Sequence, residues 1–134
     1  MAAPAEIKFL NPPTLAKPPG YSHVVEVSGG RMIFIAGQTS SGADGVAAGD
    51  FASQAEQAFA NLAAALAGVR CTAANLVKLT IYLRDIRKLA EYRRARDKFL
   101  RTVDPPAAPA ITLVEVSSLF EAELLIEIEG IAAA

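Results

Sequence analysis

The sequence has almost none of the residues that metal or thiol chemistry needs. It holds one cysteine, Cys71, and one histidine, His23. A lone cysteine excludes an intrachain disulfide, the usual mark of a small secreted scaffold. One His and one Cys fall short of the common zinc ligand sets, so a structural zinc is not expected. A Cys–His nucleophile pair would need the fold to join two residues far apart in the chain. An excess of one charge is missing too. The 13 basic and 14 acidic residues leave a net charge of −1, so no global field steers toward nucleic acid or an anionic membrane. The longest uncharged stretch, Gln57 to Val69, is well short of the roughly 18 residues of a membrane-spanning helix. Met1 to Glu6 has no basic region leading into an apolar one, so it does not read as a secretory signal. These absences point to the cytoplasm and to no membrane partner.

What is present is core material. Hydrophobic residues make up 52% and charged residues 20% of 134 residues, enough for a single domain over 1–134. Ile7 to Leu10 reads as a short edge strand. Asn11 to Gly20 carries Pro12, Pro13, Pro18 and Pro19, which deny the backbone ladder donors and make it a turn or loop. Val24 to Ser28 is a strand, Gly29-Gly30 a hairpin signal, and Met32 to Ala36 an apolar strand expected to be buried on both faces. Ser40 to Gly49 is a Gly/Ser/Asp loop.

Asp50 is an N-cap candidate. Phe51, Ala55, Ala58, Phe59, Leu62, Ala65, Leu66 and Val69 then recur at helical spacing, with Gly68 near the expected stop. Leu76 to Arg84 alternates, with Val77, Leu79, Ile81 and Leu83 opposed to Lys78, Thr80, Tyr82 and Arg84, as in a half-buried strand. Asp85 is expected to cap a second helix reaching about Leu100, with Leu89, Tyr92 and Phe99 inward. Asp104-Pro-Pro106 breaks the chain, and Ala110 to Ser117 and Leu124 to Ala132 are two more strands. The order β-β-β-α-β-α-β-β predicts an α+β fold, a sheet with two helices on one face.

Several positions carry possible chemistry. Eight Lys/Arg residues fall between Arg84 and Arg101. A phosphate-binding patch is one reading; the simpler one is a solvated helix face with pairs such as Arg87–Glu91 and Arg93–Asp97. Stacking aromatics are sparse there, so nucleic acid is not the favoured partner. Glu127 and Glu129 share one strand face, as outward polar residues or as an acid/base pair facing a cleft. Tyr21, after Pro18-Pro-Gly20, could cover a ligand or pack on a sheet edge. His23 reads as a surface or hydrogen-bonded residue, and Cys71 as an inert small one. Gly37, in Ala36-Gly-Gln38, ends an apolar strand where a backbone could approach a ligand or form a bulge.

In order along the chain, Pro18-Pro-Gly-Tyr-Ser-His23, Ile33-Phe-Ile-Ala-Gly-Gln38, Gln54-Ala-Glu-Gln-Ala-Phe-Ala-Asn-Leu62, Val77-Lys-Leu-Thr-Ile-Tyr-Leu-Arg-Asp85, Pro109-Ala-Ile-Thr-Leu-Val-Glu-Val116 and Ile126-Glu-Ile-Glu-Gly-Ile131 resemble the RidA family, also called YjgF. The resemblance implies a chorismate-mutase-like mixed sheet of about six strands, a homotrimer, and ligand clefts between subunits. It implies hydrolysis of reactive enamines and imines such as 2-aminoacrylate by water, without a cofactor. By position, Tyr21, Gly37 and Glu127 match the family's cleft residues, with Glu127 in the catalytic role. Ile111 stands where the family's carboxylate-binding arginine is expected, Leu113 where a cysteine is frequent, and Arg87 where an asparagine is frequent. Isoleucine cannot grip a carboxylate. The resemblance therefore implies a divergent member with a more apolar pocket lined by Tyr21, Gly37, Arg87, Ile111 and Leu113. Arg84 or Arg87 could supply the missing charge. The function expected is a small-metabolite-binding protein and a deaminase of imines or enamines. The alternatives are a non-enzymatic sensor or binding module and, less favoured, RNA binding or cleavage.

Overall fold

A computed structural model describes residues 3–42 and 49–134. The expectation of a loop over Ser40 to Gly49 falls largely on 43–48, outside the described residues. Among the described residues, six strands and two α-helices follow the order read from the sequence: β1 Glu6–Leu10, β2 Val24–Ser28, β3 Met32–Gln38, α1 Phe51–Gly68, β4 Leu76–Leu83, α2 Leu89–Leu100, β5 Ala110–Glu115 and β6 Ile126–Ala133. The strands form two sheets. β1 and β2 make an antiparallel ribbon, and β3-β6-β4-β5 make a mixed four-stranded sheet. β6 runs antiparallel to β3 and β4, while β4 and β5 run parallel. The parallel neighbours need a long crossover, which α2 supplies; α1 likewise carries the chain from β3 over β6 to β4.

Both helices lie over one face of the large sheet. Phe51, Ala55, Ala58, Phe59, Leu62 and Leu66 of α1 are buried against Leu79, Ile81, Ile126, Ile128 and Ala132 of the sheet. The ring of Phe59 stacks on Phe99 of α2 at 5.1 Å, which joins the second helix to the same core. Asp50 caps α1 as expected, its Oδ1 accepting from Ser53 N at 2.8 Å. The helix does not stop at Gly68 by glycine geometry. Arg70 takes the left-handed conformation, φ 61°. Arg70 N donates to Ala67 O and Cys71 N to Leu66 O, the paired bonds of a Schellman ending.

Four expectations are corrected. β3 is not buried on both faces: Ile33 and Ile35 pack on the core, but Met32 is 49% and Phe34 74% exposed, because among the described residues no layer covers the second face. Gly29-Gly30 does turn with positive φ at both residues, yet β2 and β3 form no ladder, so the six strands are not one sheet. The turn is wedged between chain ends instead. A Cβ on Gly30 would lie 2.6 Å from Ala5 Cβ, and Arg31 exchanges backbone hydrogen bonds with Ala134. Asp85 caps a short 3-10 turn, Ile86–Lys88, that precedes α2. The ion pairs on α2 also differ from the expected Arg87–Glu91 and Arg93–Asp97. Arg87 pairs with Asp85, Lys88 with Glu91, Arg96 with Asp97, and Lys98 with Glu56 of α1.

Candidate functional site

The face of the four-stranded sheet opposite the helices is open, and alternation decides what it displays. On β6, Ile126, Ile128, Gly130 and Ala132 are buried toward the helices. Glu127, Glu129 and Ile131 therefore stand on the open face. Register places Tyr82 beside Glu127 and Thr80 beside Glu129. Tyr82 Oη donates to Glu129 Oε1 at 2.6 Å, and Lys78 Nζ donates to Thr112 Oγ1 at 2.6 Å. The hydrogen bond to Glu129, with some burial, holds the Tyr82 phenol above its ordinary range. A depression of about 430 Å³ lies here, lined by Phe34, Ala36, Lys78, Thr80, Glu129 and Ile131 among others.

Gly37 and Glu127 are brought together by a bulge. Ile35 pairs with Gly130, but the next pair is Gln38 with Ile128, so β3 carries extra backbone at Ala36–Gly37. That backbone bends against the Glu127 side chain. A Cβ at Gly37 would lie 2.9 Å from Glu127 Cγ and closer still to its carboxyl atoms. Glycine is needed here for space. Partial burial, and then the nearby charge of Glu129, push the Glu127 carboxyl above the ordinary glutamate range.

Tyr21 sits elsewhere. Its neighbour Ser22 bridges to Ala110 and donates its N–H to Pro109 O at 3.1 Å, so the Tyr21 segment runs along the outer edge of β5. The Tyr21 ring meets His23 edge-on at 5.6 Å, and His23 Nε2 contacts Ala16 O. Ile111 and Leu113 pair with Leu79 and Ile81, whose side chains face the helices, and both pack partly on the core. Within one chain they therefore lie on the opposite face from Glu127. With strands about 4.8 Å apart, β5 is about 10 Å from β6, and Tyr21 lies beyond it. Arg87 is on the loop after β4, its side chain 87% exposed and gripping Asp85 through Nε and Nη2 at 3.0 Å each.

One chain thus joins Gly37 to Glu127 and leaves Tyr21, Ile111 and Leu113 at the β5 edge. Sequence reasoning missed two features. Tyr82–Glu129 needs cross-strand register, which alternation alone does not provide. Arg96, taken with the solvated basic face, is 6% exposed. It lies 5.7 Å over the Tyr92 ring, donates to Pro19 O at 3.2 Å, and leaves no room for a side chain at Gly20. Its spacing of four from Tyr92 was the available signal.

Residues 14–134 match the family model described as Endoribonuclease L-PSP. A RutC family protein of Aquifex aeolicus is 34% identical over 128 residues, covering 94% of this chain and 98% of that protein. The crystal structure of YyfB, a protein of the conserved Rid family from Yersinia pestis, has a TM-score of 0.84 and 34% identity, covering 96% of this chain and 98% of that one. Rv2704 of Mycobacterium tuberculosis, from the YjgF/YER057c/UK114 family, has a TM-score of 0.66 and 26% identity, covering 96% of this chain and 100% of that one. The chain therefore belongs to the Endoribonuclease L-PSP family, whose members here carry the names Rid, RutC and YjgF.

Proposed function

We propose that residues 1–134 act as one domain of a cytoplasmic homotrimer that binds a small metabolite in clefts between subunits and hydrolyses an enamine or imine there. The observation that carries this reading is the Glu127 carboxyl, half-buried against the Gly37 backbone and held above its ordinary range. A carboxyl poised higher than usual can give and take a proton nearer neutral pH. In the proposed reaction Glu127 protonates the enamine carbon, giving the iminium. It then takes a proton from the water that attacks the C=N carbon. That proton goes to the nitrogen of the resulting carbinolamine, the C–N bond breaks to release ammonia, and the hydroxyl proton returns to Glu127 as the 2-oxo compound forms.

The divided site supports the clefts. Tyr21, Ile111 and Leu113 occupy the β5 edge, while Gly37 and Glu127 occupy the open face. A second copy laid against that face would bring one chain's edge to the other's carboxylate. Arg87 would stand at the rim. Exposed Phe34 and Met32 give the open face apolar area to bury in such contacts. RNA cleavage, raised by the family model's description, has less support: Arg87, Lys88, Arg96 and Lys98 each already face a carboxylate.

The test is ammonia release from freshly generated 2-aminoacrylate, with wild type and Glu127→Gln at equal concentration. Wild type is expected to accelerate release and Glu127→Gln to lose about 10²–10⁴-fold, the usual scale of general acid–base catalysis. Acceleration by both proteins alike would remove Glu127 from the chemistry. No acceleration, with ligand-dependent thermal stabilisation, would make the protein a binding module instead.

A further inference from the structure

We propose that the groove between α1 and α2 is a second binding site, and that its ligand is a small, flat aromatic acid. The groove lies on the helical side of the sheet, away from the open face that carries Glu127. The proposal therefore does not rest on the reading of that carboxyl.

Packing is the first observation. The two helices touch through aromatic rings, Phe59 on Phe99 at 5.1 Å and on Tyr92 at 6.3 Å. Beside that contact they present small side chains to each other. Ala52, Ala60 and Ala63 recur at helical spacing on one face of α1, and Ala95 stands across from them on α2. Methyl groups do not fill the gap that the rings hold open. A space of about 390 Å³ remains, with the buried rings of Phe59 and Phe99 at its floor. That volume falls within the range of small-ligand sites, about 300–1,000 Å³. Walls of methyl groups over an aromatic floor suit a flat ring, which can meet the rings below and lie against both walls.

Charge is the second observation. Glu56, Glu91, Arg94 and Lys98 stand around the groove. Lys98 Nζ donates to Glu56 Oε1 at 2.5 Å, and Lys88, which does not line the groove, donates to Glu91 Oε1 at 3.4 Å. Each carboxylate thus has its cation. Arg94 makes no ion pair among the described residues. The unmatched charge at the rim is positive, so a complementary ligand carries an anion, and a guanidinium receives a carboxylate through two parallel hydrogen bonds. The Lys98–Glu56 pair also limits the size of the occupant. It crosses from one helix to the other, so a partner helix could not lie along the groove without displacing it. A molecule of one or two rings fits beside it.

The experiment titrates 2-naphthoate, its neutral amide 2-naphthamide, and octanoate into wild type, Ala60→Leu, Ala63→Leu, Arg94→Gln and Arg93→Gln. Backbone NMR shifts locate the binding, and circular dichroism establishes that each variant is folded. Ala60 and Ala63 are exposed and leucine is a good helix former, so either change fills the groove without entering the core. Naphthoate is expected to shift the groove residues of wild type, and naphthamide to bind more weakly. The leucine variants should lose about ten-fold or more, because the ring has no apolar surface left to cover. Arg94→Gln should weaken naphthoate about two- to five-fold, the scale of an exposed ion pair, and remove its advantage over the amide. Arg93 does not line the groove, and Arg93→Gln should bind as wild type does. No groove shifts with millimolar naphthoate, or undiminished binding by both leucine variants, overturns the site. Octanoate binding tighter than naphthoate overturns the aromatic class. Groove shifts that grow with protein concentration before any probe is added assign the groove to a second copy of the chain and overturn the proposal.

Discussion

At the scale of single residues, the decisive contact is between a glycine and a carboxylate. Gly37→Ala would place a methyl group in the space of the Glu127 carboxyl. That carboxyl is the free end of a flexible side chain, so the fold should absorb the change at a cost below about 1.5 kcal/mol. The carboxyl, however, must move, and ammonia release should fall at least about ten-fold while the urea midpoint shifts little. Equal turnover in Gly37→Ala would show that the position of Glu127 is unimportant. The pH dependence of stability tests the environment of Glu127 directly. Burial and Glu129 raise its folded-state value above that of the unfolded chain. The folded protein then binds more protons, so this group's effect is to lower stability as pH rises from about 4.3 through the raised value. Glu127→Gln has no such proton. Its urea stability relative to wild type should be flat below about pH 4 and should increase between there and neutrality. A difference that does not vary with pH would mean that the carboxyl is not desolvated.

At the scale of elements, helix ends show how far local signals reach. Asp50 was recognisable as a cap because an aspartate before an apolar helical stripe satisfies free N–H groups wherever the helix packs. The C-terminus was less legible. Gly68 lies near the end, yet the left-handed position is Arg70, two residues on. Tertiary packing chose it: Leu66 and Cys71, the residues that flank the Schellman bonds, are both buried in the core. A non-glycine residue at φ 61° is strained. Arg70→Gly is therefore expected to raise stability by about 0.5–1 kcal/mol, after the greater freedom glycine gives the unfolded chain. Thermal denaturation checks this; a fall in Tm would show that the Arg70 side chain contributes more than its backbone costs. Arg96 teaches the same lesson on α2. Arg93, Arg94 and Lys98 of the same helix are exposed, but the Arg96 side chain turns inward to the Pro19 carbonyl.

At the scale of the whole molecule, the open sheet face is the feature that a single chain leaves unexplained. Phe34 stands there at 74% exposure between the β3 bulge and Ile131. If copies pack through this face as proposed, Phe34→Lys should bury an unpaired charge and yield monomer by light scattering, with loss of turnover. A trimer that persists in Phe34→Lys would place the subunit contacts elsewhere. The amino-acid sequence by itself determined the element order, the helical stripe of α1, the alternation of β4 and β6, and the family-like positions of Tyr21, Gly37 and Glu127. These are properties of spacing, and spacing survives any arrangement of the elements. Only the tertiary structure decided that the strands divide into two sheets, that Arg96 is buried, that Ile111 and Leu113 face the helices, and that Arg87 pairs with Asp85. Each of those depends on register and on which side of the sheet the crossover helices fall, and such long-range pairings leave no periodic trace in the chain.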